Sequence, residues 1–260
     1  MALQPQSYGD IITIDGDFPG RLGKNYFMSP ANYQVEILDQ LRFIETKTQS
    51  GKAPFRGLSS LKGKSCRIIP VPYSDPGKTI TTPVATNACL VEYNPWTWNW
   101  EDRFLGFDPT NRGYDPDDVL FHELVHVFLQ LAQIFRSVPR NDQYHNREDF
   151  YAVLFTNIYV SEQNKSLAAR FSKLLRGDHN LTFSSLAAGE PDVAAADDPA
   201  LGFYKKYKSD IDDLFHTDNP TMTRLANDLA AVSCAFNPLH ARPKSEYIPL
   251  DNPFGGWTPK

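Results

Sequence analysis

The chain has 260 residues, 41% hydrophobic and 22% charged, enough to bury a sizeable core and too apolar for a disordered chain. A formal net charge of −5 offers no basic stripe to neutralise phosphates, so nucleic-acid binding is not expected. Cys66, Cys89 and Cys234 form no CxxC pair and are too few for a disulfide framework, although one bridge could form.

The first stretch, MALQPQSYGDIITIDGDFPG, lacks both a positive n-region and a continuous apolar segment, so a cleaved secretory signal is not expected. No apolar run approaches the roughly 18 residues of a membrane span. Asp10–Asp15 alternates as a short strand, and Pro19, Gly20 and Gly23 mark an irregular connection. From Ser29 to about Gln49 the period becomes helical: Pro30 suits the first position, and Val35, Ile37, Leu38, Leu41 and Ile44 form an apolar stripe.

SCRIIPVPY and KTITTPVATNACLVEYNP read as two or three strands, rich in β-branched residues and interrupted by prolines that mark edges or breaks. Trp96, Trp98 and Trp100 then alternate, either as core aromatics sealing one end of a sheet or as the wall of a cleft. Asp115 can cap the next helix, with Pro116 at its first position and Asp117 and Asp118 complementing its dipole. Leu120, Leu124, Val127, Phe128 and Leu131 spread over a wide arc, as in a central helix buried on most sides.

That helix contains VLFHELVHVFLQ, residues 119–130. His122 and His126, four apart, present their imidazoles on one face, close enough to share one ion. Glu123 lies about 100° further round the axis and can flank the ion without binding it. This is the HExxH arrangement, in which two histidines bind Zn²⁺ and the glutamate acts as general base and acid. With six histidines in the chain, a chance match has a probability on the order of half a percent. Two buried imidazoles and a carboxylate without partners would also be costly, whereas a metal compensates all of them.

A catalytic zinc usually has three protein ligands. No HxxGxxH continuation follows His126, and the other histidines are His145, His179, His216 and His240. Glu148 is the favoured third ligand: it opens a second apolar helix, REDFYAVLFTNIYVSE, which Asn146 can cap with Asp149 at N3. Asp149 is the alternative ligand.

In His122, Glu123, His126 and Glu148 the sequence resembles the gluzincin group of zinc metallopeptidases, over about Asn87 to Glu162. In many gluzincins an acidic residue one turn after the ligand glutamate supports a zinc-bound histidine. Here that position is Ala152, which leaves Asp149 or Asn157 for the role. The resemblance also implies an edge strand before the active-site helix, a place that ATNACLVEY occupies in the order, with Asn87–Ala88 similar to a peptide-holding Asn–Ala pair. Oxyanion donors could be Tyr144, His145, Tyr159 or His179, the last oriented by Asp178.

Further on, LAARFSKLLRG and NPTMTRLANDLAAVSC read as helices, and SSLAAGEPDVAAADDPA between them reads as a polar surface loop. No repeat or composition break divides the chain, so residues 1–260 are expected to form a single α+β domain with a zincin-like fold: a small mixed sheet, an active-site helix and a helical C-terminal half. The expected activity is zinc-dependent hydrolysis of a peptide bond in a protein or peptide substrate. Alternatives are an amidase acting on cell-wall cross-links and a non-catalytic zinc-containing interaction module.

YNPWTW, LFHELVH and EDFYAVLFTNIYVSE together resemble zincin domains of bacterial toxins, including metallopeptidase extensions of type VI secretion spike proteins. That resemblance implies a secreted effector delivered without a cleaved signal peptide, partnered by a secretion apparatus or an immunity protein; otherwise the protein is expected in the cytoplasm.

Overall fold

The computed structural model describes residues 3–16, 29–71, 80–95, 116–134, 144, 146–163 and 198–243. Two short strands, β1 (Gln6–Tyr8) and β2 (Ile12–Ile14), pair antiparallel around a turn in which Gly9 takes a φ of 61°, backbone that a glycine adopts without steric cost. Only the second was expected. The first, QSY, is too short and polar to show a period.

Helix α1 (Pro30–Lys47) starts as expected, with the Ser29 hydroxyl accepting from the Asn32 amide. Thr48 ends it and at once caps α2 (Gln49–Ser59), accepting from the Gly51 amide at 2.9 Å. The second helix was not expected, because Gly51, Pro54 and Gly57 all argue against one. Both glycines have tertiary reasons. A Cβ on Gly51 would lie 2.0 Å from the Ile44 carbonyl oxygen, and one on Gly57 would lie 2.6 Å from the Phe128 ring.

Strands β3 (Ser65–Ile69), β4 (Ile80–Ala85) and β5 (Ala88–Glu92) complete a five-stranded mixed sheet in the order β1-β2-β3-β5-β4. β2, β3 and β5 run parallel, and β1 and β4 are antiparallel to their neighbours. Ile12, Ile14, Cys66, Ile68, Cys89 and Val91 are buried, while residues between them are more exposed. One face therefore supplies the core, with side chains alternating across the pleat. All three cysteines are free thiols, with Cys66 opposite Cys89 on adjacent strands.

Helix α3 (Pro116–Leu131) packs against α1, α2, β4, β5 and α4 (Arg147–Gln163). Its start is held by the Tyr93 hydroxyl, which donates to the Pro116 carbonyl at 2.6 Å. Val119 through Val125 and Val127 through Leu131 are buried, so the central placement is as expected. α4 begins with the expected cap, the Asn146 side-chain oxygen accepting from the Asp149 amide at 2.8 Å. At its other end the buried Glu162 carboxylate accepts from the amides of Gln49 and Ser50 and from the Ser50 hydroxyl, closing the N-terminus of α2.

Three more helices follow: α5 (Pro199–Lys206), α6 (Lys208–His216) and α7 (Pro220–Ala230), the last capped by Asn219. Phe203 and Tyr207 pack on Phe150, joining this half to the same apolar core as the sheet. The arrangement is α+β, with seven helices among the described residues. The expected Asp115 cap, the Trp96–Trp100 cluster, LAARFSKLLRG and the polar loop up to residue 197 lie outside the described residues. Among the described residues no helix is long and apolar enough to cross a membrane.

Candidate metal centre

The single helical turn from His122 to His126 brings both imidazoles to the α3–α4 contact. Their Nε2 atoms face each other at 3.1 Å. Each ring is oriented through its other nitrogen. His126 Nδ1 donates to Glu148 Oε1 at 2.8 Å, and that same oxygen also accepts from Gln130 Nε2 at 2.9 Å. On the other ring, the Thr156 hydroxyl gives its proton to the Ala152 carbonyl at 2.8 Å, so its oxygen is left to accept from His122 Nδ1 at 3.3 Å.

These partners fix the tautomers. With hydrogen on both Nδ1 atoms, two Nε2 lone pairs point at one another in a buried site. Such an arrangement requires a proton or a cation between them. A tetrahedral zinc with bonds of about 2.0–2.1 Å to nitrogen places two ligand nitrogens about 3.3 Å apart, close to the observed separation. Asp149 completes the group: ligand atoms of His122, His126 and Asp149 all lie within 4.8 Å of one another. The donor set of two imidazoles and a carboxylate suits a divalent zinc-like ion.

The two acids at the start of α4 thus divide. Glu148 was favoured as third ligand, but its Oε1 sits on His126 Nδ1, the nitrogen directed away from His122. Asp149, one position later and about 100° round the helix, is the acid whose carboxylate groups with ligand atoms of both His122 and His126. Glu148 thus orients the His126 ring through Nδ1, as second carboxylates do for histidines that hold a metal. Asn157 has no hydrogen bond to either ring among the described residues, and Thr156 instead holds His122.

Glu123 is 3% exposed, and its carboxylate accepts from the Thr81 hydroxyl on β4. Burial raises its pKa, and the nearby Asp149 and Glu148 add to this against the opposing pull of His126 and the Thr81 bond. Burial and the neighbouring His126 hold His122 well below the ordinary histidine value. Burial also pulls His126 down, but the Glu148 hydrogen bond and the charges of Glu123, Glu148 and Asp149 outweigh it, leaving the net shift upward.

Several expected participants stand elsewhere. The Tyr159 hydroxyl donates to Asp117 at 2.8 Å and its ring stacks on Phe121, a packing role. Tyr144 packs edge-on against Phe150 and Tyr207. His216 accepts from Arg242, and His240 bonds the Ala230 carbonyl. His145, His179 and Asp178 lie outside the described residues.

Among the described residues β4, not β5, forms the sheet edge beside α3. Asn87 is exposed in the turn between β4 and β5, its carbonyl accepting from the Ser65 amide, and Ala88 begins β5 opposite Ser65. Three participants escaped the sequence. Gln130, one turn after His126, could have been found from helical spacing, and Thr156, seven residues after Asp149, likewise. Thr81 carries no local signal. No protein-family model, curated protein or solved structure matches the chain.

Proposed function

We propose that the chain is a zinc-dependent metallopeptidase of zincin type. The observation that supports this most is the approach of His122 Nε2 to His126 Nε2 with both Nδ1 atoms already bonded, and the grouping of Asp149 with both histidines within 4.8 Å. The residues fit the ion, and His122, His126 and Asp149 would hold it. When bound there, zinc supplies Lewis acidity, lowering the pKa of a water and polarising a carbonyl.

The remaining chemistry belongs to the chain. Thr156 and Glu148 keep the two Nε2 lone pairs directed inward by holding a proton on each Nδ1. The carboxylate of Glu123 takes the proton of the attacking water and returns it to the leaving amine. The buried flanks Phe121, Leu124, Val125 and Val127 pack the helix into the apolar core and exclude bulk water from the site's interior.

Metal analysis and turnover test this together. After chelation and reloading, about one zinc per chain is expected, with cleavage of labelled casein. Glu123→Gln should keep the zinc and lose about 10²–10⁴-fold in kcat. Absence of zinc in carefully purified protein, or an undiminished rate in the Glu123→Gln variant, would remove the proposal. Cleavage of purified peptidoglycan but not casein would move the substrate from protein to cell-wall cross-links.

A further inference from the structure

Thr81 touches the candidate centre twice, from a different layer of the fold than the helices that form it. Its hydroxyl donates to Glu123 Oε2, and the same oxygen stands 3.4 Å from the Glu123 backbone carbonyl. Its own carbonyl is 3.4 Å from Gln130 Nε2, the amide that also bonds Glu148. The strand is placed by pairing rather than by the site: Thr81 lies opposite Val91 in the antiparallel β4–β5 register. Thr81 is half-buried while its strand neighbours Ile80 and Val84 are exposed, so this side chain is the one that β4 turns toward α3.

A glutamate on a helix has three rotatable side-chain bonds, and one fixed oxygen removes most of that freedom. Holding Oε2 leaves Oε1 to exchange the proton, and a small misplacement of a reacting group can cost about a hundredfold in rate. We propose that Thr81 is a positioning residue for Glu123, fixing its carboxylate through the hydroxyl on the sheet edge. The proposal rests on the metallopeptidase reading.

Thr81→Val tests it, because valine keeps the shape and the strand preference while removing the hydroxyl. Its kcat on labelled casein should fall by about tenfold or more, with KM within about twofold, as for an interaction needed only in the chemical step. Thr81→Ser should return kcat to within about threefold of the unaltered protein. Zinc content near one per chain should persist in both variants, separating lost positioning from a lost centre.

If Thr81→Val matches the unaltered protein while Glu123→Gln is inactive, Thr81 does not position the base and the hydrolase reading stands. An equal loss in Thr81→Ser and Thr81→Val, or a loss of zinc from Thr81→Val, would also overturn the proposal, since packing would then be the cause. If the unaltered protein and Glu123→Gln behave identically on both casein and peptidoglycan, the hydrolase reading fails and Thr81's proposed role fails with it.

Discussion

Two adjacent carboxylates stand near His126: Glu148 accepts from its Nδ1, and Asp149 groups with both imidazoles within 4.8 Å. Replacing a carboxylate that orients a ligating histidine typically costs 10–100-fold in metal affinity. Glu148→Gln, which keeps an oxygen for the Nδ1 hydrogen, should therefore weaken zinc by about 10-fold, and Asp149→Asn should weaken it more. Competition against a chelator of known affinity reads both. The reverse order would return Glu148 to the role of third ligand.

Among the elements, α2 shows most clearly how tertiary contacts create structure that propensity opposes. Its sequence, QSGKAPFRGLS, contains two glycines and a proline, each unfavourable in a helix interior. The helix forms because Thr48 and Glu162 together satisfy its first amides and because Gly57 admits the Phe128 ring. Glu162→Ala leaves the Gln49 and Ser50 amides without their acceptor, while the Ser50 hydroxyl can turn to Thr48 Oγ1, so a loss of about 2–6 kcal/mol is expected, at roughly 1–3 kcal/mol per unsatisfied buried group. Urea unfolding midpoints measure it. A change of only a few tenths would mean that water replaces the carboxylate.

Across the whole molecule, Arg242 joins the last described segment to α6. Its buried guanidinium lies 4.4 Å from the Phe215 ring centroid, donates to Asp212 at 3.0 Å and donates to His216 at 3.2 Å. Asp212 also accepts from Lys208. Burial raises the Asp212 pKa, but these bonds and charges outweigh it and bring it below the ordinary carboxylate value. A depressed folded-state pKa gives stability that is full above the unfolded value of about 3.9 and is lost as pH falls through the folded value. Asp212→Asn should therefore be less stable than the unaltered protein at pH 6–7, and the gap should close below about pH 4. Thermal unfolding at a series of pH values checks this. A gap independent of pH would assign the effect to packing.

The sequence by itself determined the elements whose signals are local: α1 and α7 with their caps, α3 with its acidic first turn, α4 with Asn146, and the placing of His122, Glu123 and His126 on one helix. Spacing and capping chemistry act over a few residues, so they are legible without the fold. Tertiary structure alone decided α2, the interior position of β5, and that Asp149 groups with both imidazoles while Glu148 bonds one. Glu148 and Asp149 are adjacent in sequence but about 100° apart on the helix, and only the packing of α4 against α3 selects which of them groups with both imidazoles. Thr81 is more distant still: 42 residues from Glu123, it reaches that carboxylate because strand pairing carries the sheet edge there, a relation that no local pattern encodes.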